Sequence, residues 1–512
     1  MGDACAPDPA APVEEPSRGT GTLRRRSAIA LPLLAGGAIA AIPAITRLTA
    51  RPEPTLLSEG LAVGAGGLVR PLAPGASVDY LAGTRVPSSS ADPLALDDAA
   101  RAAAHTAFQR RAAGARLPRG RWRDLAADAL ADLLALTSPS LAVEPAPATD
   151  AAAPSAEAEG FPVGAVVAGP VGAWRYVWPR DASFAAVALD AVGLREEALA
   201  ILRQLAALQL PDGGFEARYD AVGQVPDGRP RQEDGAGWFL WALGRVIAGG
   251  GAVPASGGAP LNPADPADPA DPADLEDLAD PAGRAAGRLM TLTSTPSHLP
   301  PAGPDYWEVP EKRTTLGLAV PVLLGLEGAV ALADSLLADR VGPVVGAPTG
   351  APTTGSSPAI PSREALAQRV GQTRAAIEFS FNPGWGRHVR DDDVDAAIAL
   401  VGPPFTRALA GSARARASAR ARMSRAAGGL APGSGWRDDG VSWTPETALL
   451  AWSAAALGER TEAEELMTWL ESHRTAAGAL AEKVLSDGRP AGPAPLAWTC
   501  ALVLLAAGEL AG

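Results

Sequence analysis

What most limits the fold of this chain is a succession of thirteen helical segments whose connections alternate between short and long. Apolar periodicity and end signals predict helices near 95–114, 121–136, 181–192, 194–209, 234–248, 281–292, 314–338, 363–379, 392–400, 405–425, 444–457, 459–472 and 495–510. Thr444-Pro445-Glu446 offers an N-cap, a proline at the first helical position and an acid in the first turn. Asp181 and Asp234 stand where N-caps belong, and Pro495 suits the first position of the last helix. Ala, Leu, Gly and Pro dominate while long β-branched runs are scarce, which favours helices broken by loops.

Three of the connections are tight: the turn at Gly193, the stretch Val401-Gly402-Pro403-Pro404, and Gly458. The connections into the third, fifth, seventh, ninth, eleventh and thirteenth helices are longer, and they hold Trp174, Tyr176, Trp178, Tyr219, Tyr306, Trp307, Trp385, Trp436 and Trp443. In an up-and-down helical array alternate connections lie at opposite ends, so the aromatic and charged loops share one end. Two low-complexity inserts, near 249–280 and 342–362, have the composition of flexible linkers and fall on the other class of connection. A closed all-α ring over 95–512 follows, with the odd-numbered helices from the third onward inside and six others outside. Residues 51–94 read as an irregular approach segment.

The net charge of −13 argues against a nucleic-acid partner. Two cysteines, Cys5 and Cys500, predict no disulfide, and four scattered histidines lack metal-ligand spacing. Arg24-Arg25-Arg26 precedes an apolar run over 28–45 and resembles a twin-arginine export signal. The run is also nearly long enough to span a bilayer, so both an exported chain and one attached to the membrane through 28–45 are expected.

Chemistry concentrates in the long connections. Asp305-Tyr306-Trp307-Glu308 sets a glutamate against aromatic rings, where lost hydration would favour the protonated form expected of a general acid. Leu480-Ala481-Glu482-Lys483 supplies a second carboxylate, and two such groups form a pair suited to cleaving a sugar bond. Glu311 is an alternative acid or a substrate contact. Tyr176, Trp178, Arg180 and Asp181 suit the grip of hydroxyls over an aromatic floor. Arg229, Gln232 and Asp234 offer further polyol contacts, and Trp436-Arg437 repeats the aromatic–cation theme. Each of these also has a plainer reading as a helix cap or a solvated loop, and their shared end is what joins them.

Taken in order from Trp174 to Trp498, these segments resemble glycoside hydrolase family 15, the glucoamylase-type enzymes. The resemblance rests on Trp174-Arg175-Tyr176 through Asp181, Gly228-Arg229-Pro230 with Gln232 and Asp234, Tyr306-Trp307-Glu308, Asp395-Ala396-Ala397 to Phe405, and Glu482 with Pro495-Leu496-Ala497-Trp498. It implies an (α/α)6 barrel, Glu308 as general acid, Glu482 as general base, a terminal sugar held by Arg180 and Asp181, Trp178 and Trp307 walling the pocket, an oligo- or polysaccharide substrate, and no cofactor. Val309 follows Glu308 where many members have a second glutamate. A sugar-binding protein without turnover, a helical-toroid phosphorylase and a terpenoid cyclase are the other readings of the same loops.

Overall fold

The computed structural model describes residues 53–89, 92–142, 158–249, 275–333, 335–337 and 360–512. The apolar run over 28–45 and nearly all of both inserts lie outside them. The chain separates into two units, Met1–Thr55 and Leu56–Gly512; the second holds the fold that follows.

Twelve α-helices appear among the described residues: α1 (Asp98–Arg111), α2 (Arg123–Leu136), α3 (Pro179–Ala191), α4 (Arg195–Leu208), α5 (Gly235–Ile247), α6 (Glu276–Leu292), α7 (Leu316–Ala333), α8 (Arg363–Phe381), α9 (Ala413–Met423), α10 (Thr444–Ala456), α11 (Arg460–Ser472) and α12 (Ala497–Ala511). The ninth expected helix is a six-residue 3-10 segment, Ala396–Val401, stopped by extended Gly402 and two prolines. The tenth begins at Ala413 rather than near 405, because the chain first spends Phe405 in the core and turns at Gly411.

Neighbour packing runs α3–α5–α7–3-10 segment–α10–α12 and back to α3, which is a closed inner ring. α4, α6, α8, α9 and α11 pack outside it, and α2 covers α12 as the sixth outer helix. This is an (α/α)6 barrel. Burial shows why the assignment is forced: every residue from Pro179 to Asp190 of α3 is buried, whereas α4 buries only a stripe of Ala198, Leu199, Ile201, Leu202 and Leu205. An inner helix touches neighbours on all sides and must be apolar all round. α7 is the one described helix long and apolar enough to cross a membrane, yet its apolar surface is consumed by the ring.

Glycine permits a close contact between α5 and α7. A Cβ at Gly237 of α5 would fall 2.2 Å from the Pro321 carbonyl oxygen, and one at Gly328 of α7 would fall 2.4 Å from that of Leu240. Two buried helices therefore meet backbone to backbone, and no side chain fits between them.

The axis is filled by aromatics around Phe184. Its ring lies 5.1 Å from Trp238, 4.9 Å from Trp241, 5.8 Å from Trp498, 6.1 Å from Phe405 and 6.4 Å from Trp452. Beyond this plug, Asp190, Arg245 and Glu509 gather from the last turns of α3, α5 and α12. Burial pushes Asp190 up to about 6 and Arg245 down to about 10.

Residues 56–89 are more ordered than expected. β1 (Gly60–Val63) and β2 (Leu68–Leu72) form an antiparallel hairpin; β2 pairs in parallel with β3 (Ser140–Ala142), and β3 with antiparallel β4 (Ala158–Gly160). Buried Arg85 anchors this region to the barrel through Asp128 and Asp132 of α2. A second sheet joins β5 (Ser442–Trp443), β6 (Lys483–Val484) and β7 (Pro490–Ala491), all antiparallel.

Gly237→Ala and Gly328→Ala are each expected to lower thermal stability by about 1–3 kcal/mol through overpacking. A melting temperature that is unchanged or raised, as helix propensity alone would give, contradicts the backbone contact.

Candidate active site

The inner helices run parallel, and their N-termini meet at one end. Thr444, first residue of α10, and Thr499 in the first turn of α12 have hydroxyl oxygens 2.9 Å apart, and Arg180 in the first turn of α3 lies over Trp498 at 4.5 Å. Four N-termini carry a buried acid: Asp181, Asp234, Asp395 and Glu446. The helix dipole favours acids there, while burial penalises their charge.

The expected caps are arranged differently. Trp178 is the N-cap of α3, and Asp181 sits in the first turn, ion-paired with Arg180 at 2.9 Å. Asp234 is an N-cap whose carboxylate accepts from Trp238 Nε1 at 3.0 Å instead of capping backbone. Trp443 precedes α10, and Thr444 donates its hydroxyl to the Ala481 carbonyl at 2.6 Å. Pro495 lies before α12, whose N-cap is Leu496.

One loop joins the two glutamates singled out by the sequence. Trp178 Nε1 donates to Glu308 Oε1 at 2.8 Å, and Trp174 Nε1 donates to Glu482 Oε1 at 3.1 Å. Four residues span at most roughly 14 Å between Cα atoms, so this loop fixes two carboxylates that are distant in sequence to one mouth. Arg229 pairs with Glu308 Oε2, and Lys483 Nζ lies 3.0 Å from Glu482 Oε2.

Glu308 sits at a backbone φ of +55°. A non-glycine residue in this left-handed region costs on the order of 1–3 kcal/mol and persists only when its surroundings enforce it. Here Asp305 supplies the restraint: its carbonyl accepts Glu308 N–H at 2.8 Å and its carboxylate accepts Trp307 N–H at 3.0 Å. Arg387 anchors Asp305 in turn, reaching Asp305 at 2.7 Å, Asp395 at 3.0 Å and Glu311 at 2.8 Å. Tyr306 donates to Asp395, which burial drives toward its protonated form against the pull of Arg387.

The expected neighbours of Glu308 are therefore rearranged. Trp307 does not cover it by a hydrogen bond: its ring lies under Arg387 at 3.8 Å and edge-on to Trp436 at 4.7 Å. Glu311 commits both oxygens, one to Arg387 and one to His388 Nε2 at 2.8 Å, which makes it part of the anchor. Arg437 lies over Trp436 at 5.1 Å. Tyr176 and Trp178 share Arg218, which stacks on both rings at 4.8 and 5.1 Å. Gln232 is buried beside Asp234 in sequence.

Arg387, Arg218 and Glu446 were not legible as site residues. Arg387 follows Trp385-Gly386 and repeats the aromatic–cation signal of the other long connections. Glu446 resembles an ordinary first-turn acid, yet it is only 3% exposed. Burial, reinforced by Glu482, pushes its carboxyl up to about 8. Burial likewise pushes Asp234 up to about 6 and raises Asp181. Several polar atoms here lack a hydrogen-bond partner among the described residues: Nε and one terminal nitrogen of Arg180, and Glu446 Oε2. Such groups are costly unless a ligand or water satisfies them.

Neither a protein-family model nor a curated protein matches the chain. Solved structures do. A wild-type glycosidase aligns with a TM-score of 0.51 and 19% identity over 68% of this chain and 91% of its own. A glycosidase variant in complex with glucose aligns equally well, at 0.51 and 19% over the same shares. A glucoamylase from Saccharomycopsis fibuligera aligns at 0.50 and 14% over 78% of this chain and 97% of its own. The fold is thus that of the glucoamylase-like six-hairpin glycosidases.

Arg387→Met strands buried Asp305 and Asp395 and half-buried Glu311 and is expected to cost about 3–5 kcal/mol; a loss under about 1 kcal/mol on thermal unfolding contradicts the anchor. Glu446→Gln tests the buried acid. In the parent the folded pKa, about 8, exceeds the unfolded value of 4.5, so between these values unfolding releases a proton and stability falls as pH rises. The variant's advantage in melting temperature is expected to widen from about pH 4.5 to about pH 8 and then level off. A constant difference contradicts the burial of a titrating group.

Proposed function

We propose that this chain is an exported, inverting, exo-acting glycoside hydrolase that releases glucose from α-glucosides. The observation carrying the reading is the loop Trp174–Trp178, whose two indoles donate to Glu482 and Glu308 at one mouth. Glu308 protonates the glycosidic oxygen. Glu482 takes a proton from a water attacking the anomeric carbon from the opposite face. Inversion by this route needs carboxyls roughly 6.5–9.5 Å apart, to leave room for that water.

The substrate pocket follows from the buried polar groups at the N-termini of α3 and α5. Arg180, Asp181 and Asp234 offer donors and acceptors for the hydroxyls of a terminal sugar, and Trp178 offers an indole surface for its ring. The aromatic plug around Phe184 closes the barrel beneath them. A pocket with one open end favours chain ends over internal bonds, which supports exo-action. On this reading the arriving sugar displaces Arg229 from Glu308, freeing the oxygen that must hold a proton. Glu311, committed to Arg387 and His388, positions the acid loop and does not bind sugar. The arginine-led apolar stretch supports export, and a substrate met outside the cytoplasm.

The Arg229–Glu308 ion pair is also what favours the second reading, a sugar-binding protein without turnover. Hydrolysis of a panel of α-glucosides followed by proton NMR separates the two. Initial release of β-glucose is expected. Glu308→Gln and Glu482→Gln should each lower kcat by about 10²–10⁴-fold. Unchanged rates remove the substituted residue from the mechanism, α-glucose excludes inversion, and tight binding without release favours the second reading.

A further inference from the structure

Glu446 is a buried acid at this mouth to which the proposed acid, base and sugar-contact roles assign nothing. It lies in the first turn of α10, two residues after Thr444, whose backbone N–H donates to the Glu482 carbonyl at 3.0 Å. β5, which leads into α10, pairs with β6, which begins beside Glu482. Glu446 and Glu482 therefore ride on one locked unit.

Their surroundings differ. Glu482 has the indole N–H of Trp174 on one oxygen and the ammonium of Lys483 near the other. Glu446 is buried, and its Oε2 has no hydrogen-bond partner among the described residues. The charged groups that face it are Glu482 from the β6 loop, Arg180 from α3 and Asp395 from the turn before the 3-10 segment. Two are carboxyl groups, and the single cation is already paired with Asp181. Neighbouring buried carboxylates cannot all ionise cheaply, so one retains a proton. Glu446, without a cationic partner of its own, is where that proton resides.

Resting on the sugar-pocket reading above, we propose that Glu446 is a substrate-contacting residue that stays protonated and donates a hydrogen bond to a hydroxyl of the bound neutral sugar. The site then divides two adjacent carboxyls between tasks: Glu482 accepts a proton, and Glu446 offers one without transferring it. Ionisation of Glu446 replaces the donor by an anion next to Glu482 and weakens sugar binding. Burial and the adjacent Glu482 put this ionisation near pH 8, whereas Asp234, at about 6, has ionised before it.

The test is glucose binding, followed by tryptophan fluorescence from pH 6 to 9.5, so that no turnover is needed. For the parent, affinity is expected to fall at least about tenfold between pH 7 and 9.5. Glu446→Gln, whose amide still donates, is expected to bind about threefold more weakly than the parent at pH 6 and with little pH dependence. Glu446→Ala, with no donor, is expected to be at least about tenfold weaker than the parent at pH 6, with the Gln variant recovering part of that loss. A pH response that survives in Glu446→Gln, or equal binding by the Gln and Ala variants, overturns this proposal alone. Absence of glucose binding by the parent at any pH overturns the sugar-pocket reading as well.

Discussion

The contact between the first and last inner helices is the constraint on which the rest of this structure depends. Residues about 320 apart in sequence meet where Trp498 of α12 lies under Arg180 and beside Phe184 of α3. Ala497 N–H also donates to the Ala168 carbonyl at 2.8 Å, tying the start of α12 to the segment that leads into α3. Without that closure the six parallel N-termini would not face a common mouth. The hydrophobic effect supplies the drive, because α7, α10 and α12 expose apolar surface on every side until the ring covers it. The glycine contacts between α5 and α7 decide how tightly the ring can draw in.

A closed ring of helix N-termini creates an electrostatic conflict. The dipoles invite acids, and burial resists their charge. The structure resolves this in two ways. Asp305, Asp395 and Glu311 share a single guanidinium, Arg387, and become a rigid support for the strained backbone of Glu308. Asp181, Asp234 and Glu446 are only partly compensated, and their carboxyls are driven up. The Arg387 network serves as scaffold, whereas the less compensated groups have hydrogen-bonding capacity left for a ligand.

How much of this was legible in the sequence depended on the range of the interaction. Helix order, the inner–outer alternation and the common end of the aromatic loops follow from periodicity and connection length, which are local. The 3-10 segment escaped because Ala396–Val401 is apolar enough for a helix, and its shortness is set by Gly402 and the prolines beyond it. The hairpin of β1 and β2 escaped because Gly60–Val63 is too short to alternate and is buried on both faces. At the site, Glu308 and Glu482 were visible as acids among aromatics, but their indole partners come from a third loop. Trp307, adjacent in sequence to Glu308, turns to Arg387 instead. Glu446 carried no distinguishing local signal, since its character arises from burial against residues of three other segments.

The central claim is that Glu308 and Glu482 confront one sugar across a gap wide enough for a water molecule. A crystal structure of the Glu482→Gln protein with a malto-oligosaccharide addresses it directly. The account predicts the terminal sugar seated over Trp178 and gripped by Arg180 and Asp181, with Glu308 at the glycosidic oxygen and the amide of residue 482 on the opposite face, the two side-chain ends roughly 6.5–9.5 Å apart. A sugar bound elsewhere, or the two positions on the same face of its ring, would contradict it.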